Sequence, residues 1–197
     1  MQYFMVYMTM AVTAFAVENA AFTRGLGLSK ATLLLNSRWE GLIYGVVTTW
    51  MLVLSSFPVS LVNYYLLDVT FIRAIRAPLY LLCVLASYVV TYILVVRFFP
   101  KFQHIVAAAL PISAFNTALF GAFYVSGTQR FTFFETTGYA LGTGLGYTIA
   151  LLVIYYARKR LAISPVPRAF RGLPILLVYI GLLSLAIYGL IGHELPI

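Results

Sequence analysis

Six long apolar runs account for most of this 197-residue chain. Each is close to the length of about 20 residues that an α-helix needs to cross a bilayer. Hydrophobic residues make up 62% of the chain and charged residues only 9%, whereas soluble domains carry about 25% charged residues. This composition excludes a soluble globular protein, a disordered chain and a secreted disulfide scaffold. It predicts an all-α integral membrane protein with a single membrane domain, residues 1–197.

The predicted spans are separated by connections that carry most of the charged residues. They run over Gln2–Thr23, from near Leu42 to Phe57-Pro58, and over Ala77–Val96, His104–Val125, Thr136–Ala157 and Leu173–Gly192. We expect the first and fourth helices to be broken, because the first contains Glu18-Asn19 and the fourth contains Pro111 and Asn116.

Basic residues favour one side of the predicted bundle. Of the 13 Lys and Arg residues, the first, third and fifth connections hold ten and the other side holds Arg73, Arg76 and Arg130. Basic connections face the cytoplasm in membrane proteins. We therefore expect a multi-pass membrane protein with both termini outside and these connections in the cytoplasm. The same rule accounts for the net charge of +8, so we expect no nucleic-acid partner.

A weak internal repeat appears when the chain is shifted by 97 residues. The shift superposes four pairs: Asn19 on Asn116, Ala21 on Ala118, Gly41 on Gly138, and Gly45 on Gly142. The offset equals three spans, so the two halves would point in opposite directions. The sequence thus predicts two inverted three-helix repeats, about 1–98 and about 99–197, with a functional site near the midplane on broken helices.

Three polar residues at these breaks are candidates for an ion path. A carboxylate within a membrane is costly and is by default a functional candidate, which singles out Glu18. A protonated or hydrogen-bonded structural role for Glu18 is equally compatible with the sequence. Asn19 and Asn116 are the other candidates, and hydrogen bonding between helices is the alternative for both.

Five glycines suggest close helix packing, because glycine lets two backbones approach each other. They are Gly41, Gly45, Gly138, Gly142 and Gly146. We expect no catalytic residue and no metal site from this chain. The sequence has no Gly-rich phosphate loop or nucleophile motif, and its one cysteine, Cys83, cannot form a ligand set alone.

Several segments, in order along nearly the whole chain, resemble one family of membrane proteins. The segment from Val17 to Ser29 resembles the first broken helix of the E-subunit of the sodium-translocating NADH:quinone reductase (Nqr) and of the A-subunit of the Rnf complex. Later matches are Arg97-Phe98-Phe99-Pro100, Leu110-Pro111-Ile112, Asn116-Thr117-Ala118, Gln129-Arg130 with Phe133 and Glu135, Gly142 to Gly146, Val166-Pro167 and Phe170-Arg171-Gly172-Leu173.

The resemblance implies six helices in an inverted repeat, paired with a homologous six-helix subunit of opposite orientation. In the family each of the two partners supplies two cysteines, and together they hold one 2Fe-2S cluster within the membrane. Flavin and iron–sulfur subunits complete the complex, and the resemblance implies that it lies in the bacterial inner membrane. Here both ligand positions carry hydroxyls, Ser29 and Thr117. Iron–sulfur clusters are held by thiolates, so we expect no cofactor ligand from this chain.

Two functions remain open from the sequence. The first is a non-catalytic membrane subunit of an Rnf/Nqr-type complex that couples electron transfer to Na+ or H+ translocation, with Ser29 and Thr117 in place of the usual cluster ligands. The second is a non-redox carrier or scaffold, derived from this family, that moves an ion or a small solute.

Overall fold

Long runs of apolar helix-forming residues fold into helices wherever the structure describes the chain. The computed structural model describes residues 2–28, 37–66, 75–100 and 103–191. Its helices are α1 (Gln2–Val12, continued by a π-helical turn, Thr13–Val17), α2 (Arg38–Leu66), α3 (Arg76–Phe98), α4 (Gln103–Ala114), α5 (Thr117–Thr128), α6 (Phe133–Ile163) and α7 (Leu173–Ile191), with a short 3₁₀ helix at Arg168–Phe170. No strand occurs within these ranges.

Four of the described helices are long and apolar enough to cross a bilayer: α2, α3, α6 and α7. Helices α4 and α5 together meet the same criteria and are bent by 49° at the break between them. The helix at the start of the chain is apolar but shorter, Tyr3–Val17. The protein is therefore an all-helical, multi-pass membrane protein.

The predicted end of the second span at Phe57-Pro58 is wrong, because α2 continues through Pro58 to Leu66. Proline removes one backbone donor but does not always end a membrane helix, since neighbouring side chains can satisfy the freed groups. Beside Pro58, the hydroxyls of Ser56 and Ser60 donate to the carbonyls of Val53 and Phe57, at 2.7 Å each. The carbonyl that loses its N–H partner at the proline is that of Leu54, four residues earlier, so these two bonds do not replace the missing one.

The break predicted in the fourth helix is present. Helix α4 contains Pro111 and ends at Ala114, and α5 begins at Thr117.

At the start of α6, the carboxylate of Glu135 accepts a hydrogen bond from the backbone N–H of Thr132 at 2.7 Å. Glu135 is thus part of a capping box.

Helices α2 and α6 form the centre of the bundle and run antiparallel. A Cβ added to Gly45 of α2 would lie 2.6 Å from the side chain of Thr148, and one added to Gly144 of α6 would lie 2.7 Å from Thr49. Helix α3 is also antiparallel to α2: Trp50 donates to Thr91 at 3.3 Å, and Tyr80 donates to Asn63 at 2.7 Å.

The bent pair α4–α5 runs parallel to α2 through the break. Near the break, Thr48 donates to Ser113 at 3.1 Å, and further along Asn63 donates to Ser126 at 3.2 Å. Both residue numbers rise together, so α5 continues in the direction of α2.

Helix α1 runs parallel to α6 and packs against its glycines at backbone distance. Successive pairs in contact are Tyr7 with Gly138, Ala11 with Gly142 and Phe15 with Gly146. The difference in residue number between the partners is the same in all three pairs, which only parallel helices produce. Beyond Phe15 this packing ends, because the chain leaves the helix at Glu18.

Candidate functional site at two helix breaks

The first break is held together by the side chain of Asn19. Its Oδ1 accepts hydrogen bonds from the backbone N–H groups of Ala21 and Phe22, at 3.0 and 3.3 Å. Its Nδ2 donates to the carbonyl of Phe15, in the last turn of the helix, at 3.2 Å. One amide thus satisfies backbone groups on both sides of the break. An unpaired backbone group inside a membrane would cost several kcal/mol.

Asn116 plays the corresponding part at the second break. It is the N-cap of α5, and its Oδ1 accepts from the backbone N–H of Ala118 at 3.0 Å. Its Nδ2 donates to the hydroxyl of Tyr44 on α2 at 3.1 Å. Only 1% of Asn116 is exposed. The two asparagines that the 97-residue shift superposes therefore make the same kind of bond to the backbone two residues further on.

The two breaks meet each other. The backbone N–H of Gly27 donates to the hydroxyl of Thr117 at 2.8 Å, and Tyr147 on α6 donates to the carbonyl of Gly27 at 2.9 Å. Gly27 has a φ of +76°, and an added Cβ would lie 2.6 Å from the Tyr147 ring and 2.7 Å from Asn116 Oδ1. The backbone of the first break can lie this close to the second because residue 27 is glycine.

A buried apolar cluster surrounds this meeting point. It contains Ala20, Ala21 and Phe22 from the first break, Ala118 from the second, and Tyr44 and Tyr147 from α2 and α6. Leu26 lies directly against Gly121 of α5. The breaks are thus packed by apolar side chains, and tyrosine hydroxyls bond to their polar groups.

Glu18 belongs to a separate, partly exposed group of side chains at the first break. Its Oε2 accepts from Arg24 and from the hydroxyl of Tyr139 on α6, at 2.7 Å each. The side chains of Glu18 and Arg24 are 27% and 33% exposed. Asn116, by contrast, bonds to Tyr44 and to its own helix. The structure therefore brings Thr117 and Gly27 together, whereas Glu18 and Asn116 bond to different partners.

The structure also gives the positions of other residues that the sequence singled out. Asn19 lies against Gly146, where a Cβ added to the glycine would be 2.8 Å from Asn19 Nδ2. Gly41 is buried near the start of α2. Ser29 lies outside the described residues. Arg24, one of the ten basic residues of the odd-numbered connections, lies in the break, where it pairs with Glu18.

Sequence reasoning placed Gly27 near the first break but not its contact with Thr117, and it missed three tyrosines, Tyr44, Tyr139 and Tyr147. These three tyrosines bond to the two breaks. Arg24 had a detectable signal, since it follows Glu18 by six residues in one motif. Tyr139 had none, because it lies 121 residues from Glu18.

The second break offers a hydroxyl where an iron–sulfur cluster would need a thiolate. Such clusters take thiolate ligands, and Thr117 offers a hydroxyl that already accepts a hydrogen bond from Gly27. Among residues 2–28, 37–66, 75–100 and 103–191, no group of three or more His, Cys, Asp or Glu side chains could hold a metal ion. Cys83 lies on α3, where its carbonyl accepts from Ser87.

The bent helix pair α4–α5 and the chain that follows the end of α1 meet inside a bundle of apolar helices, which is an arrangement of polytopic membrane proteins. The chain belongs to the Rnf-Nqr subunit family of membrane proteins, whose family model matches residues 7–193.

Curated relatives match almost end to end. The chain is 29% identical over 189 residues to the A-subunit of the ion-translocating oxidoreductase complex of Aromatoleum aromaticum, covering 94% of this chain and 96% of that protein. It is 28% identical over 186 residues to the protein of the same name from Thioalkalivibrio sulfidiphilus, covering 94% and 97%. It is 26% identical over 184 residues to the A-subunit of the Na(+)-translocating ferredoxin:NAD(+) oxidoreductase complex of Acetobacterium woodii, covering 93% and 96%.

Proposed function

We propose that this chain is an integral membrane subunit of an Rnf-type complex that couples electron transfer to the translocation of Na+ or H+. The observation that carries the proposal is the nearly end-to-end match to the A-subunits of ion-translocating oxidoreductase complexes. The meeting of the two breaks supports it, because transporters place their functional sites where interrupted helices meet.

Six membrane crossings in two inverted repeats are part of the proposal. Helix α2 begins at Arg38, seven residues or about 10 Å before Gly45, and therefore beside the second half of α6. Helix α1 packs against the first half of α6 and stops level with Gly146. The described residues after α1, 18–28, would thus continue the first crossing beyond Gly146, and the modest bend of 49° supports a crossing by α4–α5.

The membrane partner in this proposal is a homologous six-helix subunit of opposite orientation. Both breaks reach the surface of the chain: Arg24, Gly25 and Thr117 are exposed, and Phe115 is 52% exposed. Polar groups at this depth are costly against lipid. A second protein surface would cover them, and flavin and iron–sulfur subunits would complete the assembly.

We further propose that this chain supplies no ligand to an iron–sulfur cluster. At the second break the family's cysteine position is occupied by Thr117, whose hydroxyl is bonded to Gly27. The first position is Ser29. Electrons would then cross on groups held by other subunits, and the ion path in this chain would run past Glu18, Asn19 and Asn116.

The hydroxyl at residue 117 also favours a second candidate, a non-redox carrier of an ion or small solute derived from the same family. Transport assays on inverted membrane vesicles separate the two. For the complex, ferredoxin or NADH oxidation should drive Na+ or H+ uptake that disappears when this chain is deleted and returns when it is restored. Uptake that depends on the chain but not on any electron donor would establish the carrier instead.

A further inference from the structure

A cleft of about 400 Å3 opens at the junction of α6 and α7. The end of α6, the start of α7 and the turn that joins them form its walls. Its lining combines two basic side chains, Arg158 and Arg171, with apolar ones, among them Leu161, Leu173 and Leu176. The cleft lies far along the chain from the helix breaks and belongs to neither of them.

The charge around this cleft has one sign. Between Tyr156 and Ile175 the sequence has five basic residues and no Asp or Glu. Two of the five, Arg158 and Arg171, line the cleft, and a local surplus of positive charge attracts an anion. Arginine is suited to phosphate because its planar fork of N–H groups binds two oxygens at once.

The backbone holds one of these arginines in place. Arg171 Nε donates to the carbonyl of Val166 at 3.0 Å, across the turn that joins the two helices. This bond uses one of the five N–H groups of the guanidinium. Arg171 also lines the cleft. The first turn of α7 adds backbone N–H groups of the kind that bind anions.

The position of the cleft fits a molecule that is part polar and part apolar. Helix α6 ends at Ile163 and α7 starts at Leu173, so the turn between these two membrane helices lies at the depth of the lipid headgroups. Leu176 is buried between the helices, whereas Leu173 and Leu177 are 50% and 57% exposed. An anionic headgroup at the arginines would therefore place its acyl chains along the apolar surface of α7.

We propose that this cleft is a binding site for the phosphate and glycerol of an anionic phospholipid. The lipid joins α6 to α7, which has little buried surface of its own in this chain. Basic pockets between membrane helices bind anionic headgroups by the same chemistry. The site is independent of the electron-transfer role, because it needs neither the breaks nor a redox partner.

The test uses the protein purified in detergent with whatever subunits accompany it, stripped of lipid and then titrated with phosphatidylglycerol. Native mass spectrometry counts bound lipid, and the apparent Tm follows it. We expect bound phosphatidylglycerol and a raised Tm, with zwitterionic phosphatidylcholine much weaker. Arg158→Gln and Arg171→Gln should each weaken binding by about tenfold, which corresponds to about 1.4 kcal/mol.

Lys159→Gln is the matched control, because residue 159 is adjacent to Arg158 on α6 but is not part of the cleft lining. It should retain binding within a factor of about two to three. Equal losses in all three variants would show only a diffuse attraction to positive charge and would overturn the proposal. Displacement of the lipid by millimolar inorganic phosphate, or no preference for phosphatidylglycerol over phosphatidylcholine, would overturn it as well.

Discussion

Two glycines of the first break differ in one physical respect. Gly25 and Gly27 both have left-handed backbone, with φ of +65° and +76°. An added Cβ at Gly25 would meet nothing within 4 Å, whereas at Gly27 it would meet Tyr147 and Asn116 below 3 Å. Substituting each glycine in turn therefore separates two free-energy costs: that of a left-handed backbone with a Cβ, and that of disturbing the contact between the two breaks.

We predict that Gly25→Ala lowers the stability of the purified protein by about 1–2 kcal/mol, the cost of a left-handed conformation with a Cβ. Gly27→Ala should lower it by a further 1–3 kcal/mol or so, because overpacking displaces Tyr147 or Asn116. Apparent Tm values in detergent measure both. Equal losses in the two variants would mean that the contact between the breaks contributes nothing.

The ion pair of Glu18 allows a sharper test of the proposed ion path. Glu18→Gln should lower redox-driven ion uptake in vesicles by about tenfold or more, equivalent to at least about 1.4 kcal/mol in the transport barrier. That variant also leaves Arg24 without its carboxylate, and an unpaired charge is itself disruptive. The loss of uptake alone is therefore ambiguous.

The double variant, Glu18→Gln with Arg24→Gln, resolves the ambiguity. It removes both charges and keeps side chains of similar length and polarity at both positions. If Glu18 takes part in ion transfer, uptake stays low in the double variant. Recovery of uptake to the level of the unmodified protein would show that Glu18 only balances the charge of Arg24.

At the scale of helices, the glycines of α6 determine how closely α1 approaches. Gly138 and Gly142 lie directly against the carbonyls of Tyr7 and Ala11. A short apolar helix of this kind gains little from leaving lipid, since lipid and side chain are equally apolar. Backbone-to-backbone packing is what fixes α1, and with it the position of Asn19.

We predict that Gly142→Ala destabilises the protein by about 1–3 kcal/mol, because the added methyl group collides with the carbonyl of Ala11. Gly181→Ala on α7 is the control. Its added Cβ would meet nothing within 4 Å, and alanine favours a helix by up to about 1 kcal/mol over glycine. A Tm for Gly142→Ala as high as that of Gly181→Ala would contradict the packing role.

The apolar runs were sufficient to predict that the chain is helical, but not where each helix ends. Pro58 looked like a helix end and lies inside α2, because the local pattern cannot show whether packing against other helices keeps a helix continuous through a proline. The break at Asn116 was predictable, since proline and asparagine interrupt an apolar run there. The bond from Gly27 to Thr117 was not, because it joins residues 90 positions apart.

At the scale of the whole molecule, the basic residues predict the direction of insertion. The pairing of Arg24 with Glu18 leaves nine basic residues in the proposed cytoplasmic connections, against three on the other side. The bias therefore persists without Arg24. Antiparallel α2 and α6 also agree with the alternation that six crossings require.

Cysteine labelling tests this topology in a Cys83→Ser background. Lys159→Cys should react with a membrane-impermeant maleimide only from the cytoplasmic side, and Arg130→Cys only from the outside. The two variants serve as each other's control for membrane integrity. The reverse pattern would invert the orientation, and labelling of both from one side would refute the proposed number of crossings between them.

The central claim is that this chain forms the membrane core of an electron-transfer complex without binding iron itself. The most direct measurement is electron paramagnetic resonance with iron analysis on the complex purified through this chain, after the clusters of the soluble subunits have been assigned. We predict flavin and iron–sulfur subunits in the preparation and no additional 2Fe-2S signal that changes on Thr117→Ala or Ser29→Ala substitution. A membrane-embedded 2Fe-2S centre ligated by Ser29 or Thr117 would contradict the account.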